Sequence, residues 1–390
     1  MSVKHNPSGT PLPDDHPLKG GCIIFGWNRP PSSAKPSEPT AEPSYSIEPD
    51  EFDFCPQKIA DDFAESHPQF CSQWRQAAIR TQQADPFCCT PCWQLSFHYA
   101  FSPHRRIFYV EQAGNVVALA EKVFSQNDVV LTPLEPHWLF GSPLLGPGSE
   151  KILYELLPSI AKRYGNHMPR LLLSGVRPGG TRAGRIISKF KARFGISRLA
   201  SDMQCAASLA GGFDGFLSRR SCGFRKNMKK TQARAARTGI TYERMSPTSR
   251  EECVNIFDRM YAIELKSWKG INQCGLNQEP ATTFYKMLLC NMAVSSDARV
   301  VIAQHDGVDI GYIFGGLAGR VYRGQQFSYD DKWGCYAVGN LLQYEQIRWL
   351  CEERARRYDM GPIMGSKVQY KERWTEKKYP ITALMLRAKS

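Results

Sequence analysis

No stretch of the 390-residue sequence approaches the ~18 uninterrupted apolar positions that a membrane-spanning helix requires. The apolar patch near the start, Cys22-Ile23-Ile24-Phe25, is also much shorter than a signal-peptide core, so a cytoplasmic location is expected. No Gly-x-Ser-x-Gly elbow and no Walker phosphate loop occur, which removes the commonest serine-hydrolase and nucleotide-phosphate signatures. Regular cysteine spacing is missing too. The 13 cysteines are odd in number and scattered, which suits a reducing compartment where thiols act as small apolar residues, and disulfides are not expected. Cys89-Thr90-Pro91-Cys92 could form half of a zinc or redox motif, but a structural zinc takes two more ligands and no second pair lies nearby. No metal is expected. The eight histidines form no catalytic grouping, and His137 suits a packed loop as readily as a catalyst.

What is present is a chain with 42% apolar residues, enough to bury the cores of about two domains. Residues 1–50 stand apart: clusters such as Pro30-Pro31-Ser32-Ser33 show no apolar period and cannot bury enough surface to offset ordering entropy, so a disordered arm is expected there. The net charge of +13 favours polyanions, whether nucleic acid, anionic lipid or phosphate-bearing cofactor. Between Leu217 and Arg237 lie Arg219, Arg220, Arg225, Lys226, Lys229, Lys230, Arg234 and Arg237, with no acidic residue among them. The Ala-rich stretch Gln232–Ala236 and the stop at Thr238-Gly239 predict one basic helix over residues 217–238.

Two distant segments repeat the same order of elements. Ile107–Gln112 and Val116–Ala120 flank a turn at Ala113-Gly114-Asn115, and Val300–Gln304 and Val308–Phe314 flank one at His305-Asp306-Gly307. β-branched runs around glycine-bearing turns predict hairpins. Each hairpin precedes an apolar-periodic helix and a short strand: residues 150–164 then 170–175, and residues 339–357 then 358–361. An α/β (α+β) chain is expected, with an arm at 1–50, an N-terminal half at 51–210 and a C-terminal half at 211–390 that includes the basic helix.

Four ordered stretches of the C-terminal half carry a likeness to a known family: Phe224-Arg225-Lys226-Asn227-Met228-Lys229-Lys230; Glu264-Leu265-Lys266-Ser267-Trp268-Lys269-Gly270; Phe327-Ser328-Tyr329-Asp330 with Tyr336-Ala337-Val338-Gly339-Asn340-Leu341-Leu342; and Tyr358-Asp359-Met360-Gly361 with Tyr370-Lys371-Glu372-Arg373-Trp374. Together they resemble the GNAT-superfamily acyltransferases grouped with CelD-like proteins and the Fem-type peptidyltransferases of cell-wall synthesis. The resemblance implies a tandem GNAT-like fold. It also implies transfer of an acyl group, from acyl-CoA and most simply acetyl-CoA, to an amine or hydroxyl of a small or cell-envelope acceptor such as a polysaccharide precursor. Fem-type relatives use aminoacyl-tRNA, so tRNA is the alternative donor. A non-catalytic nucleic-acid-binding protein is a third reading that rests on charge alone.

The resemblance also implies roles for residues. The donor's pantetheine arm would run along a splayed strand at residues 325–329, past Phe327, Ser328 and Tyr329. Its pyrophosphate would meet the helix start formed by Tyr336, Val338, Gly339 and Asn340, where free N–H groups and the helix dipole favour an anion. Gly339 equally suits a plain helix start, and the usual Gly-rich phosphate loop is reduced to Gly334 and Gly339. Tyr370 and Lys371 follow the strand at 358–361, expected to be the last of the half. The lysine either neutralises an oxyanion or is one surface lysine among several. Glu264 and Asp330, with Asp331 beside it, are candidate bases, Glu264 otherwise being an exposed helix carboxylate paired with Lys266 or Lys269. Arg225, Lys229, Trp268 and Lys269 are candidates for holding the substrate.

Overall fold

A computed structural model describes residues 53–54, 68–125, 128–199, 201–363 and 366–389. The arm expected at residues 1–50 lies outside the described residues. The N-terminal half holds β1 (Asp53–Phe54), β2 (Ile107–Gln112), β3 (Asn115–Ser125), β4 (Asp128–Thr132), β5 (Leu144–Leu145), β6 (Arg170–Val176), β7 (Phe194–Arg198) and β8 (Asp202–Ser208). Its helices are α1 (Pro68–Arg80), α2 (Pro91–Phe101), α3 (Ser149–Arg163) and α4 (Thr181–Phe190). The rest of the chain forms α5 (Gly212–Ser218), α6 (Cys222–Thr238), β9 (Ile240–Met245), α7 (Arg250–Lys266), α8 (Trp268–Ile271) and α9 (Ala281–Ala293). It continues with β10 (Ala298–His305), β11 (Val308–Ala318), β12 (Val321–Tyr329), α10 (Val338–Glu352), β13 (Arg357–Pro362) and β14 (Lys377–Ala388).

The fold is two similar α/β halves in tandem, and the repeat read from the sequence is present in it. Antiparallel β2-β3-β4, crossover α3 and parallel β6 in the first half match antiparallel β10-β11-β12, crossover α10 and parallel β13 in the second. The single basic helix expected over 217–238 is instead two, α5 and α6. The Ser221 hydroxyl accepts the Phe224 N–H and caps a fresh start after Arg220, and Gly239 ends α6 at φ 79°, which an L side chain rarely adopts. Nor is β13 the last strand of its half, since β14 follows it.

β14 joins the halves. Its residues 377–381 pair with β8, and its later residues pair with β6 and β7, all antiparallel. β8, from before α5, lies between β13 and β14. Each half therefore completes its sheet with a strand from the far side of the expected boundary at residue 210. Local hydrophobic periodicity does not reveal such an exchange.

Arg323 fastens the centre of this sheet. Only 2% exposed, it donates from one guanidinium nitrogen to Asp85 Oδ2 at 2.6 Å and to Gln204 Oε1 at 3.1 Å. Its guanidinium carbon lies 4.6 Å from the centroid of the Phe140 ring. The other Asp85 oxygen accepts the N–H groups of Phe87 and Cys88. One C-terminal cation thus orders three N-terminal elements.

Candidate active site

β12 and β13 pair only from Val321–Arg323 to Arg357–Asp359; β12 then runs on to Tyr329 while β13 turns to β8. The divergence starts at a bulge. Phe314 pairs with Gln326 and Gly315 with Gly324, so Gln325 has no partner across the ladder. An extra residue of this kind bends a strand and re-aims its side chains, a device common beside active sites. The first half has the matching divergence after β4 and β6, but chain occupies it: Gly175 donates to the Leu139 carbonyl at 3.2 Å, and the Ser174 hydroxyl to the Gly141 carbonyl. Of the two crevices, the one in the C-terminal half is open.

A cleft of about 370 Å³ lies along β12 beyond the point where it leaves β13. One wall is β12, with Gln326, Phe327, Ser328 and Tyr329, and another is the start of α10, with Ala337, Gly339, Asn340 and Gln343. Trp268, Lys269, Gly334, Tyr370 and Trp374 complete it. Gly339 is closely packed: a Cβ there would stand 3.0 Å from both the Phe327 and Tyr329 rings, which would have to give by a few tenths of an ångström. Ala337 takes the left-handed conformation at φ 57°, and its carbonyl accepts the Asn340 and Leu341 N–H groups. The first N–H groups of α10 have no earlier turn to bond to, so this end suits an anion.

A smaller chamber of about 20 Å³ adjoins the inner end and shares Gln326, Phe327, Gln343 and Tyr370 with the cleft. Gln325, Tyr358, Met360 and Lys371 help to line it. Lys371 is not a surface lysine: it is 1% exposed, and its ammonium donates to the Pro362 carbonyl at 2.8 Å. Burial pushes its pKa down to about 8, against the opposing influence of Cys205.

Trp268, Lys269, Phe327, Ser328, Tyr329, Gly339, Asn340 and Tyr370 therefore meet in the cleft, with Lys371 at its inner end. Other sequence candidates lie elsewhere. Val338 is wholly buried and contributes backbone alone. Tyr336 packs on Trp333 outside the lining, with the Arg234 guanidinium 5.5 Å from its ring. Arg225 and Lys229 are exposed on α6 and do not border the cleft. Asp330 accepts the Lys332 N–H at 3.0 Å and caps a 3-10 turn, Asp331–Tyr336.

Glu264 is fully buried, not exposed; it accepts the Leu276 N–H at 3.1 Å and the Tyr312 hydroxyl at 2.9 Å. Its Oε1 lies 3.8 Å from Lys269 Nζ, and that ammonium donates at 2.8 Å to both Gln326 Oε1 and the Phe327 carbonyl. Burial lowers the Lys269 pKa and Glu264 opposes the fall. Glu264 thus holds the lysine that holds β12. Replacing it by alanine leaves the Lys269 ammonium, the Tyr312 hydroxyl and the Leu276 N–H short of a partner, and should cost on the order of 3 kcal/mol in chemical denaturation. Among the described residues no carboxylate lines the cleft.

The sequence reading missed Gln325, Gln326 and Gln343. Glutamines recurring on the buried faces of β12 and α10 were the available signal.

Residues 223–372 match the model of an acetyltransferase (GNAT) domain. This stretch is a GNAT domain. No curated protein matches the sequence. Among solved structures, FemX superposes with TM-score 0.58 at 12% identity, covering 80% of this chain and 95% of that one. A conserved protein of unknown function from Bacteroides thetaiotaomicron gives 0.55 at 12% identity, covering 81% and 97%. The C-terminal domain of a putative lysylphosphatidylglycerol synthetase from Agrobacterium fabrum gives 0.52 at 10%, covering 82% and 92%. At such identities the likeness is one of fold, and it extends beyond the GNAT domain to the N-terminal half.

The surroundings of the GNAT cleft are basic. Phe224 of α6 packs edge-on against Trp374 with ring centroids 4.9 Å apart, which sets the start of the helix beside the cleft wall. Arg225, Lys226, Lys229, Lys230, Arg234 and Arg237 are exposed along α6. Two cations of the expected basic run share one carboxylate, however: Arg220 pairs with Glu376, and Arg219 lies 3.8 Å from the same group.

Proposed function

We propose that the protein is an acyltransferase that moves an acyl group from acyl-CoA to an amine or hydroxyl of a small or cell-envelope-related acceptor. The observation that carries this reading is the open cleft along β12 beyond its parting from β13, with Phe327, Ser328 and Tyr329 along one wall and the start of α10 at its mouth. A pantetheine arm fits along the diverging strand, and a pyrophosphate fits the first N–H groups of α10. Tyr370 and Lys371 lie at the inner end, where the thioester would sit. Acyl-CoA supplies the activated carbonyl; the protein orients it, excludes water and neutralises developing charge. Tyr370 and Lys371 are placed at that end to exchange a proton.

An aminoacyl-tRNA donor is the competing reading, favoured by the exposed cations of α6. Against it, the longest helices among the described residues have 17 residues, and none forms a long projecting arm for tRNA. Isothermal titration of the folded protein with CoA and acetyl-CoA, and with aminoacyl-tRNA as comparator, tests the choice: binding of tRNA without CoA overturns the proposal. Replacing Arg225, Lys226, Lys229 and Lys230 by Gln should weaken CoA binding and flatten its salt dependence while the melting temperature stays within a few degrees. Equal affinity at low and high salt in both proteins would make α6 an ordinary solvated face.

A further inference from the structure

The inner chamber is apolar in part, through Ile313 and Met360, yet two amide groups in its wall are short of acceptors. Gln325 and Gln343 are each 2% exposed; the Gln325 Nε2 lacks a hydrogen-bond acceptor, and the Gln343 amide meets only the Tyr358 hydroxyl. They come from different elements. Gln325 is the bulge residue of β12, while Gln343 projects from the second turn of α10 beside Tyr358. A buried amide donor without its acceptors is costly, so two of them short of acceptors in one chamber require an explanation. An acetyl methyl group would offer neither an acceptor. An oxygen acceptor would satisfy them.

Resting on the reading of the cleft as the acyl-donor site, we propose that the transferred acyl group carries a hydroxyl or oxo oxygen, which the side-chain amides of Gln325 and Gln343 hold in the inner chamber. About 20 Å³ accommodates roughly one water-sized group, which suits a compact hydroxyacyl or oxoacyl chain and excludes a long alkyl tail. Selectivity follows from the asymmetry of polar sites, which reject a ligand lacking the expected oxygen far more strongly than an apolar pocket rejects an extra methylene.

Matched thioesters test this by isothermal titration of the whole protein: glycolyl-CoA against acetyl-CoA, and 3-hydroxybutyryl-CoA against butyryl-CoA, with CoA as reference. In at least one pair the oxygenated member should bind about tenfold tighter or more. That ratio should fall towards one in Gln325→Met and Gln343→Met; should either fail to fold, Gln→Glu at the same position replaces the N–H donor with an acceptor and serves the same purpose. A ratio near one in the unaltered protein overturns this inference and leaves the acyl-CoA reading intact. A ratio that survives at both positions overturns the assignment to these amides. If neither CoA nor any thioester binds, the donor reading fails and this inference fails with it.

Discussion

Lys371→Met should lower turnover by about a hundredfold or more while donor affinity stays nearly unchanged, the pattern expected when a charge acts only in the transition state. Methionine keeps most of the stem and removes the ammonium. Arginine should rescue poorly, because its planar fork cannot enter a chamber of about 20 Å³ in place of a compact point charge. The pH dependence separates this role from a structural one. Burial has pushed the lysine pKa down to about 8, so its charged fraction shrinks as pH rises through that value. If the ammonium is the active form, the rate should fall above about pH 8. If the neutral amine acts as a base, the rate should rise over the same interval. A Met variant with unaltered turnover, or a profile flat across pH 7–9, would remove Lys371 from the mechanism.

Asp85→Ala should be the most damaging single change for stability, costing about 3–5 kcal/mol in chemical denaturation, because it leaves the Arg323 guanidinium buried without its charge partner. Both members of the pair are inaccessible, at 7% and 2% exposure, so water cannot replace the lost contact. The same substitution strips the Phe87 and Cys88 N–H groups of their acceptor. Removing both charges, as in Asp85→Ala with Arg323→Met, should recover part of the loss, since an apolar replacement relieves the uncompensated charge. Additive losses in the double variant would mean that the two side chains act independently. Arg323 is also the last residue of β12 paired to β13, so the double variant should alter donor binding at the crevice as well.

The local chemistry of the chain made much of this legible. Hairpins β2-β3 and β10-β11 follow from β-branched runs around glycine turns, and the start of α10 from the apolar period that begins near Val338. Phe327, Ser328, Tyr329, Gly339 and Asn340 were found because a strand followed by a helix start is a local pattern. Burial was not legible in the same way. Glu264 shares a helix face with Met260 and Ile263, yet what makes a carboxylate tolerable there is Tyr312 on another strand and Lys269 beyond the next turn. Lys371 looked like its neighbours Lys377 and Lys378, and only the packing around β13 sets it apart. The break between α5 and α6 turned on one serine hydroxyl inside a basic run.

The shared strand β14 also bears on how the chain is made. It follows every other strand in chain order, so β6, β7 and β8 leave the ribosome before the segment that will pair with them exists. Until then β6 and β8 present unpaired N–H and C=O groups, the kind of edge that recruits wrong partners. Closure awaits contacts between residues some two hundred positions apart, such as Leu171 with Leu386, and contacts so distant are slow to form. The nascent chain therefore passes through a stage in which both halves are open at their centre, and chaperone dependence during synthesis should centre on β6 and β8 rather than on the hairpins.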